Sequence, residues 1–286
     1  MRSSERMPNF LYIGPDKAGS TWIHRVLSWH PSIFMAQAKE LFFFDQYHGR
    51  GLDWYRSHFR DATDDHRIVG EVSHDYLFSP QACERIARAL PDVRLMVCLR
   101  EPVERAFSSY LYMVRQGRFN GSFDEAVQQI DELIDHGLYA KHLSPYIEAF
   151  GLDRTYVGVF DELEQDPTGF ARQLFAYLGI DALALPEELL SKTLAAARPR
   201  SMLAAKLSKR AAQAVRQLGS PGLVTRIKSS PVVQRLLYAP YGDGEKPVPS
   251  GAARKLLKDA FADDVRRLDE CFGLNLQRLW GYRSSS

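Results

Sequence analysis

Short apolar runs along the chain alternate with stretches whose apolar residues recur at helical spacing. Phe10–Ile13, Arg67–Val72, Val93–Leu99 and Thr155–Phe160 read as strands, and each leads to a helix-type run, at Thr21–Trp29, Gln81–Leu90, Val103–Arg115 and Pro167–Leu178. This alternation predicts an α/β fold, a central parallel sheet with helices packed on its faces. Val93–Leu99 is apolar except for Arg94, the pattern of a central strand covered on both sides. Pro167 suits the first turn of a helix behind Asp166 as N-cap. Near the end, Ala252–Phe272 spaces Leu256, Leu257, Phe261, Val265, Leu268 and Phe272 along one helical stripe. No internal repeat or low-complexity tract interrupts the pattern.

With 286 residues, 45% of them hydrophobic and 25% charged, the chain is expected to fold as a single domain over residues 1–286. A net charge of +2 argues against a nucleic-acid partner. The charge is unevenly placed: between Ala196 and Pro240 the charged side chains are Arg198, Arg200, Lys206, Lys209, Arg210, Arg216, Arg226, Lys228 and Arg235, without an acid among them. Leu203, Leu207, Ala211, Val215 and Leu218 share one helical face there, with the cations off it. This basic segment at about 196–240 is expected to be helical. It reads as an acceptor-side element or lid, as a surface making weak contact with an anionic partner or membrane, or as a solvated helix. Cys83, Cys98 and Cys271 are odd in number and unrelated in spacing, so neither a disulfide framework nor a metal site is indicated. That pattern, with no run long enough for a signal-peptide core or a membrane span, leads to the expectation of a cytoplasmic protein.

Candidate chemistry begins where the first strand meets the first helix, in the turn Lys17-Ala18-Gly19-Ser20-Thr21-Trp22. Backbone N–H groups at the mouth of a helix point outward, the helix dipole adds partial positive charge, and Gly19 removes the side chain that would block close approach. Lys17 contributes a full charge and Ser20 and Thr21 contribute hydroxyls, so the turn is a phosphate cradle. In a Walker A loop the lysine follows the last glycine; here Lys17 precedes Gly19, which disfavours NTP hydrolysis. A second segment, Leu99-Arg100-Glu101-Pro102-Val103-Glu104-Arg105-Ala106-Phe107-Ser108, puts Arg100 at the carboxyl end of a predicted strand, where ligands bind in open α/β sheets. Ser108 follows about two helical turns after Pro102. A guanidinium grips a phosphate bidentately and a serine hydroxyl adds one further bond.

Both segments resemble those of sulfotransferases that use 3′-phosphoadenosine 5′-phosphosulfate (PAPS) as donor, the heparan-sulfate type and related bacterial enzymes, and imply their P-loop-like fold. Lys39-Glu40-Leu41-Phe42-Phe43-Phe44-Asp45 and Val69-Gly70-Glu71-Val72-Ser73-His74-Asp75-Tyr76 are similar to two further segments of that family, with His74 where relatives commonly carry proline. The resemblance implies that Lys17 neutralises charge on the bridging oxygen and that Ala18, Gly19, Ser20, Thr21 and Trp22 hold the 5′-phosphate. Arg100 and Ser108 then hold the 3′-phosphate, and Glu40 deprotonates the acceptor. His74 is the second candidate base, since an imidazole suits proton transfer near neutrality, with Asp75 to orient it.

Tyr139, and Lys246 in a loop before the last helix, are further donor contacts by the same resemblance. Asp16 beside Lys17 departs from the family's usual residue and is expected to turn away or to bond within the turn. The implied reaction is in-line transfer of the sulfuryl group to a hydroxyl or amine, releasing adenosine 3′,5′-bisphosphate (PAP) without a metal. The acceptor is a small molecule or glycan, with the aromatic density of Phe42–Tyr55 favouring a compact one. A P-loop small-molecule kinase and a non-catalytic nucleotide-binding protein are the alternatives.

Overall fold

A computed structural model describes residues 6–190, 197–199, 238–240 and 247–282. Lys246 and all but the two ends of the 196–240 basic segment therefore lie outside the described residues. The chain divides into two compact units, Met1–Arg100 with His142–Thr193, and Glu101–Lys141 with Leu194–Ser286.

The first unit is a five-stranded, all-parallel sheet in the order β2-β3-β1-β4-β5, built from β1 (Phe10–Gly14), β2 (Ile33–Met35), β3 (Ile68–Val72), β4 (Arg94–Leu99) and β5 (Thr155–Val159). The α/β expectation holds, and the predicted strands appear within a residue or so of their predicted bounds. Pairing of β1 with β3 on one side and β4 on the other puts a reversal of strand order beside β1, the place where open sheets of this kind receive ligands. Every residue of β1 and β3 is buried, and β4 is buried after Arg94. Arg94 sits exposed at the strand's first position and donates to the Leu178 carbonyl at 2.7 Å, which is how a charged residue begins a central strand.

Helices α1 (Ser20–Trp29) and α9 (Pro167–Leu178) close one face of the sheet, with Trp22, Ile23, Val26 and Leu27 of the first meeting Phe170, Leu174, Phe175 and Leu178 of the second in one apolar cluster. Asp166 caps the second of these helices, accepting from the Gly169 amide at 2.8 Å as its place before Pro167 predicts. The unit also contains α2 (Gly51–Arg56), α3 (Pro80–Ala89), α8 (Phe160–Gln165) and α10 (Glu187–Leu190). The edge strand β2 went unread in the sequence, being only three residues long.

In the second unit, α4 (Pro102–Arg115) is capped by the Glu101 carboxylate, which accepts from the Glu104 amide at 2.8 Å and from the Tyr282 hydroxyl at 2.8 Å. Two shorter helices follow, α5 (Phe123–Gln129), started by a Ser122–Glu125 capping box, and α6 (Glu132–Asp135). The long helix α11 (Gly251–Phe272) buries Leu257, Phe261, Val265 and Leu268, close to the predicted stripe. Its buried Asp264 accepts from the amides of Ala140 and Lys141 at 2.8 and 3.1 Å, where α7 (Tyr139–Phe150) begins. A two-stranded antiparallel ribbon, β6 (Ala197–Pro199) with β7 (Tyr238–Pro240), and the short α12 (Leu276–Leu279) complete it.

Candidate active site

Lys17, His74 and Arg100, singled out in the sequence, follow the carboxyl ends of β1, β3 and β4. After β1 the chain passes through Lys17, at φ 62°, and Gly19, at φ 83°, before α1 starts at Ser20. Gly19 occupies the N-cap position and supplies no side chain to cap the helix, so the amides of the first turn open onto the loop's concave side. Arg100, leaving β4, donates from Nη1 to the Lys17 carbonyl at 3.1 Å, and its guanidinium lies 4.8 Å above the Phe160 ring. The Arg100 guanidinium and the Lys17 backbone therefore meet beside the positive amino end of α1, an arrangement that suits an anion.

Glu40 reaches the cradle because the segment after β2 stays hydrogen-bonded beside β3: Ala36 donates to the Gly70 carbonyl at 2.9 Å and Glu40 to that of Val72 at 2.8 Å. Glu40 takes φ 68° and Phe42 φ 50°, left-handed conformations that cost an L-residue on the order of 1–3 kcal/mol each and gather at functional sites. The turn aims Glu40 at two cations. His74 Nε2 lies 3.4 Å from Glu40 Oε1, and Lys39 Nζ lies 3.7 Å from the same oxygen. On its other side His74 Nδ1 meets Asp75 Oδ1 at 2.7 Å, and the Phe42 ring packs edge-on against the imidazole. Burial works against a charged imidazole here, but Asp75 and Glu40 outweigh it and raise His74 to about 10, so the ring is an imidazolium at neutral pH.

Beneath this layer Glu71 is wholly buried on β3 and accepts from three hydroxyls: Tyr55 and Ser73 at 2.7 Å each, and Tyr76 at 3.0 Å. Ser73 Oγ in turn accepts from the Phe42 amide at 3.1 Å, and Tyr76 Oη from the Phe43 amide at 2.9 Å. Burial pushes Glu71 up to about 7, the three hydroxyls pulling the other way. Asp45, raised to about 6 by burial and then by the nearby Asp75 charge, has a buried Oδ1 with no hydrogen-bond partner.

Of the residues singled out in the sequence, Lys17, Gly19, Ser20, Thr21, Glu40, His74 and Arg100 come together in the first unit. Ala18 is fully buried, and Trp22 turns its ring into the core with Nε1 donating to the Leu189 carbonyl at 2.6 Å, so at both positions only the backbone faces the loop. Ser108, half-buried on α4, and the buried Tyr139 belong to the second unit. The sequence reading assigned no role to Lys39, whose ammonium donates to Ser20 Oγ at 3.1 Å and Thr21 Oγ1 at 3.0 Å, nor to the Glu71 network. For Lys39 the available signal was its adjacency to Glu40. For Glu71 it was an acid inside an apolar strand, a residue type that is buried only when its oxygens are satisfied.

Fold and site define an α/β protein that sets a carboxylate–imidazolium pair beside an anion cradle. The chain belongs to the sulfotransferase domain family, a PAPS-dependent family whose profile matches residues 7–220. It is 31% identical over 186 residues to mouse heparan sulfate glucosamine 3-O-sulfotransferase 3A1, covering 62% of this chain and 47% of that protein. It is 33% identical over 118 residues to the membrane-associated sulfotransferase kil1 of Dictyostelium discoideum, covering 41% of this chain and 25% of that protein. The chain thus spans between a quarter and about half of these curated relatives. A sulfotransferase of Alicyclobacillus acidocaldarius superposes with TM-score 0.70 at 26% identity, covering 96% of this chain and 99% of that one. Mouse sulfotransferase SULT7A1, solved with PAP, shares the fold at TM-score 0.53 and 11% identity, covering 96% of this chain and 88% of that one. Among the described residues no helix is long and apolar enough to cross a membrane.

Proposed function

We propose that this protein is a single-domain sulfotransferase that moves the sulfuryl group of PAPS to an acceptor hydroxyl or amine and releases PAP. The observation that carries the reading is the meeting, at one end of one sheet, of the Lys17–Thr21 cradle, Arg100 and the Glu40–His74–Asp75 chain. A family match over residues 7–220 that runs through residues of both units supports the single-domain part.

The reaction needs an entering oxygen or nitrogen, a sulfuryl group and a leaving phosphate roughly in line, with the enzyme supplying position and charge. The first-turn amides of α1 with Ser20 and Thr21 hold the 5′-phosphate, and Lys17 meets the charge that grows on the bridging oxygen. Arg100 binds the 3′-phosphate; Ser108 is assigned to it, and Tyr139 and Lys246 to the donor, by sequence resemblance. Glu40 takes the acceptor's proton as the new bond to sulfur forms and the bond from sulfur to the bridging oxygen breaks, the electron pair leaving with PAP. His74, already protonated at neutral pH, holds the Glu40 carboxylate in place and Asp75 holds the imidazolium. A polar site built for a 3′-phosphate discriminates against ATP, which leaves those groups unpaired. A glycan or compact small-molecule acceptor is the class we assign, with the half-buried rings of Tyr47 and Trp54, packed edge-on, as its aromatic contacts, since Phe42 and Phe43 are buried in the core beneath them.

Calorimetric titration with PAP, against ATP with magnesium, on wild type and Arg100→Ala tests the reading without knowledge of the acceptor. PAP binding that weakens at least ~10-fold in the variant, the loss of one charge-assisted phosphate contact, is the expected result. Absence of PAP binding, or a preference for ATP, refutes it and favours the kinase alternative.

A further inference from the structure

Lys39 stands where three groups with different tasks meet. Its Nζ is 3.1 Å from Ser20 Oγ and 3.0 Å from Thr21 Oγ1, both at the mouth of the phosphate cradle, and 3.7 Å from Glu40 Oε1, the carboxylate that faces the acceptor. Its side chain is 16% exposed. An ammonium there is placed against the electrostatics of the helix, since the amino end of α1 carries partial positive charge and favours anions over cations. Glu40 Oε1 is shared between Lys39 and the His74 imidazolium, which lies 3.4 Å from it. A cation kept close to a helix amino end gains most from an anion that joins it.

Resting on the donor assignment above, we infer that Lys39 is a catalytic residue that binds the non-bridging oxygens of the sulfuryl group while it passes from the cradle to the acceptor. In-line transfer fixes the order of the atoms: leaving phosphate oxygen at Ser20 and Thr21, sulfur next, acceptor oxygen or nitrogen at Glu40. A cation within 4 Å of the side chains assigned to both ends of that line is placed to reach the group that passes between them. The lysine gains or loses no proton. It donates hydrogen bonds to oxygens that are never the leaving or entering atom, while the acceptor proton goes to Glu40 and the electron pair leaves with PAP. Lys17 and Lys39 thus divide the work, one on the bridging oxygen and one on the group in flight.

The division is testable because PAP lacks the sulfuryl group. Lys39→Met and Lys39→Arg are compared with wild type by PAP calorimetry and by single-turnover consumption of PAPS with enzyme in excess, water serving as acceptor. The inference expects Lys39→Met to keep PAP affinity within about threefold while PAPS consumption slows by ~100-fold or more, the usual loss for one preorganised donor at a developing charge. Lys39→Arg, which keeps the cation, recovers a measurable part of the rate. Unchanged turnover in Lys39→Met overturns the inference, and so does a loss of PAP affinity as large as the loss of rate in both variants, which assigns Lys39 to shaping the cradle. A wild type that neither binds PAP nor consumes PAPS refutes the donor assignment instead.

Discussion

Replacing Gly19 with alanine tests whether the cradle is held by backbone conformation alone or also by what packs beneath it. At φ 83° and ψ 2° an L-residue pays a left-handed penalty of about 1–2 kcal/mol. A Cβ at this position would also stand 2.6 Å from Leu163 Cδ2 and 3.3 Å from Phe160 Cδ2. Leu163 is 5% exposed within the core cluster, so it has little room to yield, and overpacking of this kind costs a further ~1–3 kcal/mol. The expected destabilisation is ~2–5 kcal/mol in total. Phe160 also supports the Arg100 guanidinium at 4.8 Å, so the displaced ring moves the side chain proposed to bind the 3′-phosphate, and PAP affinity is expected to fall together with stability. Gly179, at φ 70° after α9, is the control: nothing lies within 4 Å of its added Cβ, and Gly179→Ala therefore carries the conformational cost of ~1–2 kcal/mol alone. Urea unfolding of both variants, followed by PAP titration of the folded fractions, separates the two contributions. Equal destabilisation at the two sites, or unaltered PAP affinity in Gly19→Ala, would refute the packing part of the reasoning.

Two further expectations concern protons. Glu71 is raised from 4.5 to about 7 in the folded protein, so its contribution to stability is present below pH 4.5 and lost as the pH rises toward 7, a fall of ~3 kcal/mol that should be absent from the stability–pH curve of Glu71→Gln. His74 is raised from 6.5 to about 10, so its contribution is full below pH 6.5 and disappears as the pH rises through 10; between pH 7 and 10 wild type should lose up to ~1.4 kcal/mol per pH unit more than His74→Gln. An imidazole NMR titration with a midpoint near 6.5 would contradict the second.

Much of the first unit was legible because its signals are local. Continuous apolar runs mark β1, β3 and β4, the Asp166–Pro167 pair marks a helix start, and the departure from Walker A order at Lys17 and Gly19 depends on a few adjacent residues. What escaped notice depends on contacts distant in sequence. Lys39 gains its meaning from hydroxyls nineteen and eighteen residues earlier, a relation with no periodicity to reveal it. The Glu40–His74 pair presented itself in sequence as two rival bases on separate segments; the hydrogen bond of the Glu40 amide to Val72 places them side by side, and the Asp75 contact then makes the imidazole a cation. Gly19 occupies the N-cap position, and the Ser20 hydroxyl, read in the sequence as part of the cradle, accepts from Lys39.

The buried Glu71 explains how a strained loop can present Glu40 in one orientation. Positive φ at Glu40 and Phe42 is unfavourable, so something must fix the amides that follow. Ser73 and Tyr76 accept from the Phe42 and Phe43 amides, but a hydroxyl rotates, and it holds a lone pair toward an amide only when its own proton is engaged elsewhere. Glu71 engages both protons and that of Tyr55 as well. An apolar residue at this position would pack in the sheet yet leave the two hydroxyls free to turn, and the loop would lose its fixed acceptors. The unfavourable burial of one carboxylate, which raises its pKa, thereby fixes the loop that carries the second, Glu40, the base of the proposed reaction.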